Sequence, residues 1–491
     1  MRMKTAIFTF IVLACALYTD NAWAGSRRDN ARSDAYRGFD GTVWCEGKGV
    51  EGVAVSDGVN IVLTDSKGHY TLPCSENAGR FIFITTPAGY VSTTMGGEDC
   101  FYKMIDGKAG DSGARTCDFT LRRNRFDDTH HKVIVVADPQ ISDPEDLEPL
   151  KGRLEDIGRV TDGITDCWCF GINLGDMVGW NHSLYPRINK IFERSNILWR
   201  NVIGNHDMTN WGRSFETSHT DYENTYGPTY YSFNVGQVHY VVLNDNFFVG
   251  KDWYYIGYLD ERQLSWLEKD LANVKKGSEI VVCMHIPTTL YKLAVKDFSY
   301  PDIADQLCNN TALYKMLEPY HTTILTGHMH TNSNVTISSN IVEHNIGGLC
   351  GAWWCGDVCI DGCPPGCKVY DRDGRKLSWY YKGESLPADC QMKVYADHPD
   401  YPGEVIAHVW DQDEKWKVEY WENGRKVCDM ERFVGTDPHA KEIFTDISVY
   451  KISWLAYFPS PNFFRCRYNP SAVDPEIRVT DRFGRVYTEK L

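Results

Sequence analysis

Asp138, Asp176, Asn205, His285 and the pair His328 and His330 lie far apart in the chain, yet each stands at the end of an apolar, β-branched run. A strand that ends at solvent ordinarily carries turn residues, so one such side chain would mean little. Together they offer carboxylate, amide and imidazole ligands. That mixed oxygen and nitrogen set suits two divalent first-row cations such as Mn, Zn, Fe or Co more than Mg or Ca, and it requires no thiolate. Two such cations about 3.5 to 4 Å apart polarise phosphoryl oxygens, lower the pKa of a bridging water and clamp an in-line displacement. Hydrolysis of a phosphoric ester is the chemistry this set fits.

The elements that must carry these residues read as follows. Runs at 132–137, 170–174 and 199–203 are buried strands leading to Asp138, Asp176 and Asn205; 280–284 leads to His285, and 324–326 to Gly327-His328-Met329-His330. Residues 230–234 and 238–244 flank Gly236 as a hairpin, and Leu264, Leu267, Leu271 and Val274 repeat at helical spacing. This is the pattern of a layered α/β domain. Ahead of it, 39–121 runs as short alternating stretches punctuated by glycine, a small all-β sandwich without a histidine or carboxylate cluster, read as a docking or stabilising module. Beyond about 388 the period of two returns at 404–410, 415–421 and 476–480, a third, β-rich domain. The expected boundaries are a leader at 1–24, a β-sandwich at 35–122, the α/β domain at 130–385 and a β-rich domain at 388–491.

In order, the motifs Asp138-Pro139-Gln140, Gly175-Asp176, Gly204-Asn205-His206-Asp207, His285 and Gly327-His328-Met329-His330 resemble those of the calcineurin-like metallophosphoesterases. Each block is weak alone; the ordered set is specific. The resemblance implies a four-layer α/β/β/α catalytic unit flanked by two small all-β domains. It also implies a residue-by-residue ligand assignment. Asp138, Gln140 and His330 would hold one metal, Asn205, His285 and His328 the other, and Asp176 would bridge them. Gln140 departs from the histidine of many members: it is either a weaker ligand or a hydrogen-bonding group behind a water. The counterpart of His206 lies near the leaving oxygen as proton donor or charge stabiliser. Asp207 either supports the His206 ring or caps the segment that follows.

Composition sets the outer limits. A chain of 491 residues exceeds one ordinary core, and its 43% hydrophobic content is that of a globular protein. The formal charge of -15, without any Lys/Arg-rich run, argues against a nucleic-acid partner. The start, a basic tetrapeptide, an apolar stretch at 6–18 and Ala22-Trp23-Ala24, reads as a secretory signal cleaved after Ala24, in preference to a lipoprotein cut before Cys15. No other apolar segment is long enough to span a membrane, so a periplasmic or extracellular protein is expected. Export makes disulfides admissible among the remaining cysteines. Cys350, Cys355, Cys359, Cys363 and Cys367 crowd one segment without any C-x2-C gap, which favours disulfides or buried thiols over a zinc knot.

For the organic part of a substrate, the residues near the motifs are Trp180, His182, Tyr222, Asp245, Trp353 and Trp354, with packing under a cysteine-rich loop as the competing role of the paired tryptophans. The preferred substrate is a phosphodiester or phosphomonoester on a small molecule, a sugar or a lipid head group, hydrolysed with two Mn, Zn or Fe ions. The alternatives are cleavage of a diphosphate bond, as in a nucleotide-sugar, and a non-catalytic metal-bound surface scaffold that binds glycan or protein.

Overall fold

Alternate side chains of the strand His130–Val136 part to opposite sides: Val133 and Val135 enter one apolar cluster, Ile134 and Val136 another. That division builds the layers of the central domain in a computed structural model, which describes residues 38–491 apart from 74, 76, 93, 96–97, 106–114, 210–211, 251–253, 291–299, 446–451 and 453–454. The expected leader and the alternative at Cys15 lie outside the described residues.

The first sheet runs, in spatial order, Leu198–Asn201, Trp168–Asn173, His130–Val136, Gly366–Asp373, Lys376–Gly383. Its first three strands are parallel, and the last two pair antiparallel. Sequence reading does not single out these last two strands; it names no element between the cysteine-rich stretch and about residue 388. The second sheet runs Tyr231–Val235, Val238–Val242, Glu279–Cys283, His321–Thr326, Ile341–Asn345, Ser333–Thr336. Between the sheets lie Val133, Phe170 and Ile172 from one and Tyr240, Val281 and Leu325 from the other.

Helices close the outer faces. Leu147–Asp162 and Tyr185–Phe192 bring Leu150, Leu154, Ile157 and Ile188 against Ile134 and Val136. On the other side Glu261–Leu271 and Asn310–Leu317 contribute Trp266, Leu267, Leu313 and Leu317. Asp260 starts the first of these two by accepting the Gln263 N–H at 3.0 Å. The result is the α/β/β/α sandwich that the resemblance implies. Every metal-ligand candidate sits at the same edge of it, where the parallel strands end.

The N-terminal region is mostly strand. Its sheets merge with the central domain through one continuous core in which Phe81, Phe83 and Phe101 join Tyr231, Phe233 and Trp266. Polar contacts cross the same seam: Thr85 Oγ1 to Ser232 Oγ at 2.9 Å, and the Trp266 indole N–H to Ser56 Oγ at 3.1 Å. The C-terminal region packs two four-stranded sheets around Val405, Val409, Val418, Ile477 and Val479. Its helix Pro438–Thr445 sets Ala440 and Phe444 against Ala352 and Val358 of the cysteine-rich loop. Cys350, Cys359 and Cys363 of that loop and Cys367 of the strand that follows are buried free thiols, and ligand atoms of Cys359, Asp361 and Cys363 lie within 4.8 Å of one another. Among the described residues no helix is long and apolar enough to cross a membrane.

Candidate metal centre

Five of the proposed ligands have left-handed backbone: Asp138 (φ 52°), Gln140 (φ 41°), Asp176 (φ 55°), His328 (φ 70°) and His330 (φ 52°). L-residues enter this region at a cost of roughly 1–3 kcal/mol each, and such strain concentrates at functional sites. It re-aims side chains that a continuing strand would send to either face of the sheet. Two glycines let the turns interlock. A Cβ at Gly204 would fall 2.1 Å from Asp176 Oδ1, and one at Gly175, where φ is 101°, would lie 2.8 Å from His285 Nδ1.

Asp176, Asn205, His285 and His328 converge. His285 Nδ1 faces the Leu174 carbonyl at 2.8 Å and donates to it, which turns Nε2 inward. That nitrogen lies 3.0 Å from Asn205 Oδ1, 3.2 Å from His328 Nδ1 and 3.3 Å from Asp176 Oδ2. One proton on Nε2 could serve only one of these partners, whereas a cation is shared by all of them. The ligand atoms of Asp176, His285 and His328 all lie within 4.8 Å of one another, a fit for one divalent ion.

A second group adjoins it. His330 donates from Nδ1 to the Gly351 carbonyl at 2.7 Å, and its Nε2 is buried without a partner. Gln140 donates its amide to Asp176 Oδ2 at 2.7 Å, and its Oε1 is likewise buried and unpartnered. Asp138 Oδ1 lies 3.7 Å from His330 Nε2, while both its oxygens face the His328 N–H at 3.2 and 2.9 Å. Buried polar atoms are normally satisfied, so two orphaned acceptors beside a carboxylate fit a second cation with Asp176 between the two sites.

Neighbouring shifts oppose one another. Burial pushes Asp138 up to about 8. Asp176 is equally buried, yet the facing imidazoles of His285 and His206 hold it well below the usual carboxylate range. Burial disfavours a charge on His285, but Asp176 raises it to about 10, and burial, against the Gly351 hydrogen bond, takes His330 down to about 3. Divergent shifts within one buried cluster are what functional sites produce.

His206 is the open member, with 23% of its side chain exposed. Its N–H donates to Asp176 Oδ1 at 2.8 Å, its Nε2 lies 3.9 Å from Asp176 Oδ2, and the Trp180 ring rests on it at 4.3 Å. Burial lowers its pKa.

Several expected roles do not match these positions. Asp207 does not support the His206 ring: its carboxylate accepts the Gly204 N–H at 3.0 Å, the Met177 N–H at 3.1 Å and the Tyr185 hydroxyl at 3.0 Å. The capping reading is nearer, since Gly204 N–H belongs to its own turn. Tyr222, a proposed substrate contact, is 1% exposed and packs on Tyr226. Asp245 is fully buried and accepts the backbone N–H of His285 and Ile286 at 3.2 and 2.8 Å. Trp354 donates to backbone carbonyls beneath Gln140, and His182 grips the His206 loop from behind. Trp353 stacks on His330 at 3.9 Å, and with Trp180 it is one of the two substrate candidates that stay beside the centre. Sequence reading missed Tyr254 and Tyr255, which set their edges against Trp180 at 4.9 Å and His328 at 6.1 Å. The available signal was the aromatic density at 253–255 soon after Asn244-Asp245.

Three family models match the chain in order: the N-terminal part of calcineurin-like phosphoesterase at 38–124, calcineurin-like phosphoesterase itself at 131–332, and its C-terminal part at 343–487. This chain belongs to the calcineurin-like phosphoesterase family. As a calcineurin-like phosphoesterase it is a metal-dependent hydrolase of phosphoesters, and members of this family use a dimetal centre. Solved structures to which the chain is similar include a dimetal phosphatase from Danio rerio, 13% identical, with 52% of this chain and 96% of that one covered at a TM-score of 0.36. Another is the purple acid phosphatase PPD1 from yellow lupin seeds, 11% identical, with 72% and 68% covered at a TM-score of 0.39. A search of curated proteins finds no match.

Proposed function

We propose that this calcineurin-like phosphoesterase is an exported enzyme that hydrolyses a phosphodiester or phosphomonoester carried by a small molecule, a sugar or a lipid head group. Asp138, Gln140 and His330 would hold one divalent ion, Asn205, His285 and His328 the other, with Asp176 shared. The observation that carries the reading is the inward convergence of lone pairs on His285 Nε2, together with the buried, unpartnered His330 Nε2 and Gln140 Oε1. Bound there, two Mn, Zn or Fe ions would polarise the phosphoryl oxygens and bring a water to its reactive form near neutral pH.

The chain supplies the rest. Asp176, through the His206 N–H, ties the proton-donating side of the site to the ligand cluster. His206 faces the open side, where a leaving oxygen would need a proton or a compensating charge. Trp180, Tyr254, Tyr255 and Trp353 form aromatic faces around the opening, which suits a flat or carbohydrate-like leaving group.

The deciding experiment measures metal content by mass spectrometry on protein purified without chelator, then hydrolysis of p-nitrophenyl phosphate and bis-p-nitrophenyl phosphate with Mn or Zn. Two metals per chain, with turnover lost in Asp176→Asn, and lost in His206→Ala while metal stays bound, is the expected result. Absence of metal and of turnover with either ester would overturn it in favour of a binding scaffold.

A further inference from the structure

His182 stands between two oxygens. Its Nδ1 lies 3.0 Å from Asp221 Oδ2 and its Nε2 3.1 Å from the backbone carbonyl of His206. A carboxylate and a carbonyl both only accept, so each ring nitrogen faces an acceptor and the ring is held between Asp221 and the His206 peptide. Only 12% of the side chain is exposed, and the ring lies flat against Tyr185 at 5.4 Å and 8°. The residue recruited in the sequence as a substrate contact therefore spends both ring nitrogens on the protein itself.

The segment it grips is held at other points as well. The His206 N–H goes to Asp176 and Asp207 holds the Gly204 N–H, while the Asp221 N–H reaches back to Thr209 Oγ1 at 2.9 Å. Both peptide groups of His206 are thus clamped, the N–H by Asp176 and the carbonyl by His182. Its ring Nδ1, in contrast, is buried without a hydrogen-bond partner. The ring that faces the open side of the site is aimed through its backbone.

We propose that His182, held by Asp221, is a positioning residue that fixes the His206 ring at the leaving oxygen, the service that Asp207 does not perform. The proposal rests on the reading of His206 as the group that serves the leaving oxygen. A small displacement of a proton donor costs rate in proportion to how much the leaving group needs the proton. A phenolate needs it far more than a p-nitrophenolate. Loss of His182 should therefore be selective for the poorer leaving group, which general damage to the fold or to the metal ligands would not be.

The test compares wild type, His182→Ala, His182→Gln and Asp221→Asn in the metal-loaded full chain, with phenyl and p-nitrophenyl esters of the class the wild type cleaves. The expected result for His182→Ala is a kcat for the phenyl ester lower by about tenfold or more, a p-nitrophenyl kcat within about threefold, and unchanged KM and metal content. His182→Gln, which keeps one donor toward the carbonyl, should recover part of the phenyl activity, and Asp221→Asn should fall between. Equal losses for both esters, a drop in metal content, or no change would overturn the proposal. Should His182→Ala fail to fold, Asp221→Asn carries the same comparison. A wild type that cleaves neither ester would instead overturn the hydrolytic reading, and this assignment with it.

Discussion

Trp354 reaches from the cysteine-rich loop to donate its indole N–H to the carbonyls of Pro139 and Gln140, at 3.1 and 3.3 Å. The loop behind the site and the first ligand turn are therefore one mechanical unit, with the Arg153 guanidinium 4.4 Å over the same indole. Trp354→Phe keeps most of the packing and removes the donor. It should cost about 1 kcal/mol in urea unfolding and release one of the two metals more readily to a chelator, while Arg153→Lys should cost stability through the lost stacking.

Gly204→Ala and Gly152→Ala should move in opposite directions. At Gly204 the added methyl would lie 2.1 Å from Asp176 Oδ1, so the variant is expected to lose metal and turnover. Gly152 lies within the helix Leu147–Asp162 with nothing within 4 Å of a Cβ, and alanine there should stabilise by roughly 0.5–1 kcal/mol. Metal analysis and thermal unfolding of the pair check both signs.

His131 should make the fold acid-sensitive. Burial lowers its pKa to about 4 while it is held between the Asp128 carbonyl and the Tyr240 hydroxyl. Because the unfolded chain takes up this proton first, stability falls as pH drops from about 6.5 toward 4, by up to about 3 kcal/mol. Unfolding free energies at pH 7 and pH 5 should differ less in His131→Asn than in wild type; equal differences would refute the assignment.

Lys368 and Asp411 form an ion pair at 2.7 Å with each side chain 1% exposed, joining the central first sheet to the C-terminal region. Burial lowers the lysine and raises the aspartate. Lys368→Met leaves a buried carboxylate uncompensated and should cost about 3–5 kcal/mol, most of which Lys368→Met with Asp411→Leu should restore. Urea unfolding of the single and double variants measures both steps.

What could be read in advance follows from the kind of signal each residue leaves. Asp138, Asp176, Asn205, His285, His328 and His330 end apolar runs, and a strand period is visible in sequence, so their placement at strand ends was legible, though not that they come from two facing sheets. Gln140 was legible only through the family pattern. The substrate candidates were chosen by nearness in the chain, and that measure says nothing about which side of a turn faces solvent. Tyr222 and Asp245 went to the interior, and His182 and Trp354 turned their polar atoms onto backbone carbonyls. Tyr254 and Tyr255 reach the site from a hairpin distant from every motif. The strands Gly366–Asp373 and Lys376–Gly383 were not singled out, since the charged stretch at 371–376 interrupts their apolar runs.

The shared core of Phe81, Phe83 and Phe101 with Tyr231, Phe233 and Trp266 also bears on how the protein can be divided. A fragment begun at the first ligand strand would present those three aromatics to water, and the isolated sandwich would present the matching phenylalanines. Calorimetry should accordingly record the N-terminal and central regions melting in a single transition. A single protease cut near residue 125 would then leave the two parts clasped through that core, and activity should be lost only when denaturant pulls them apart.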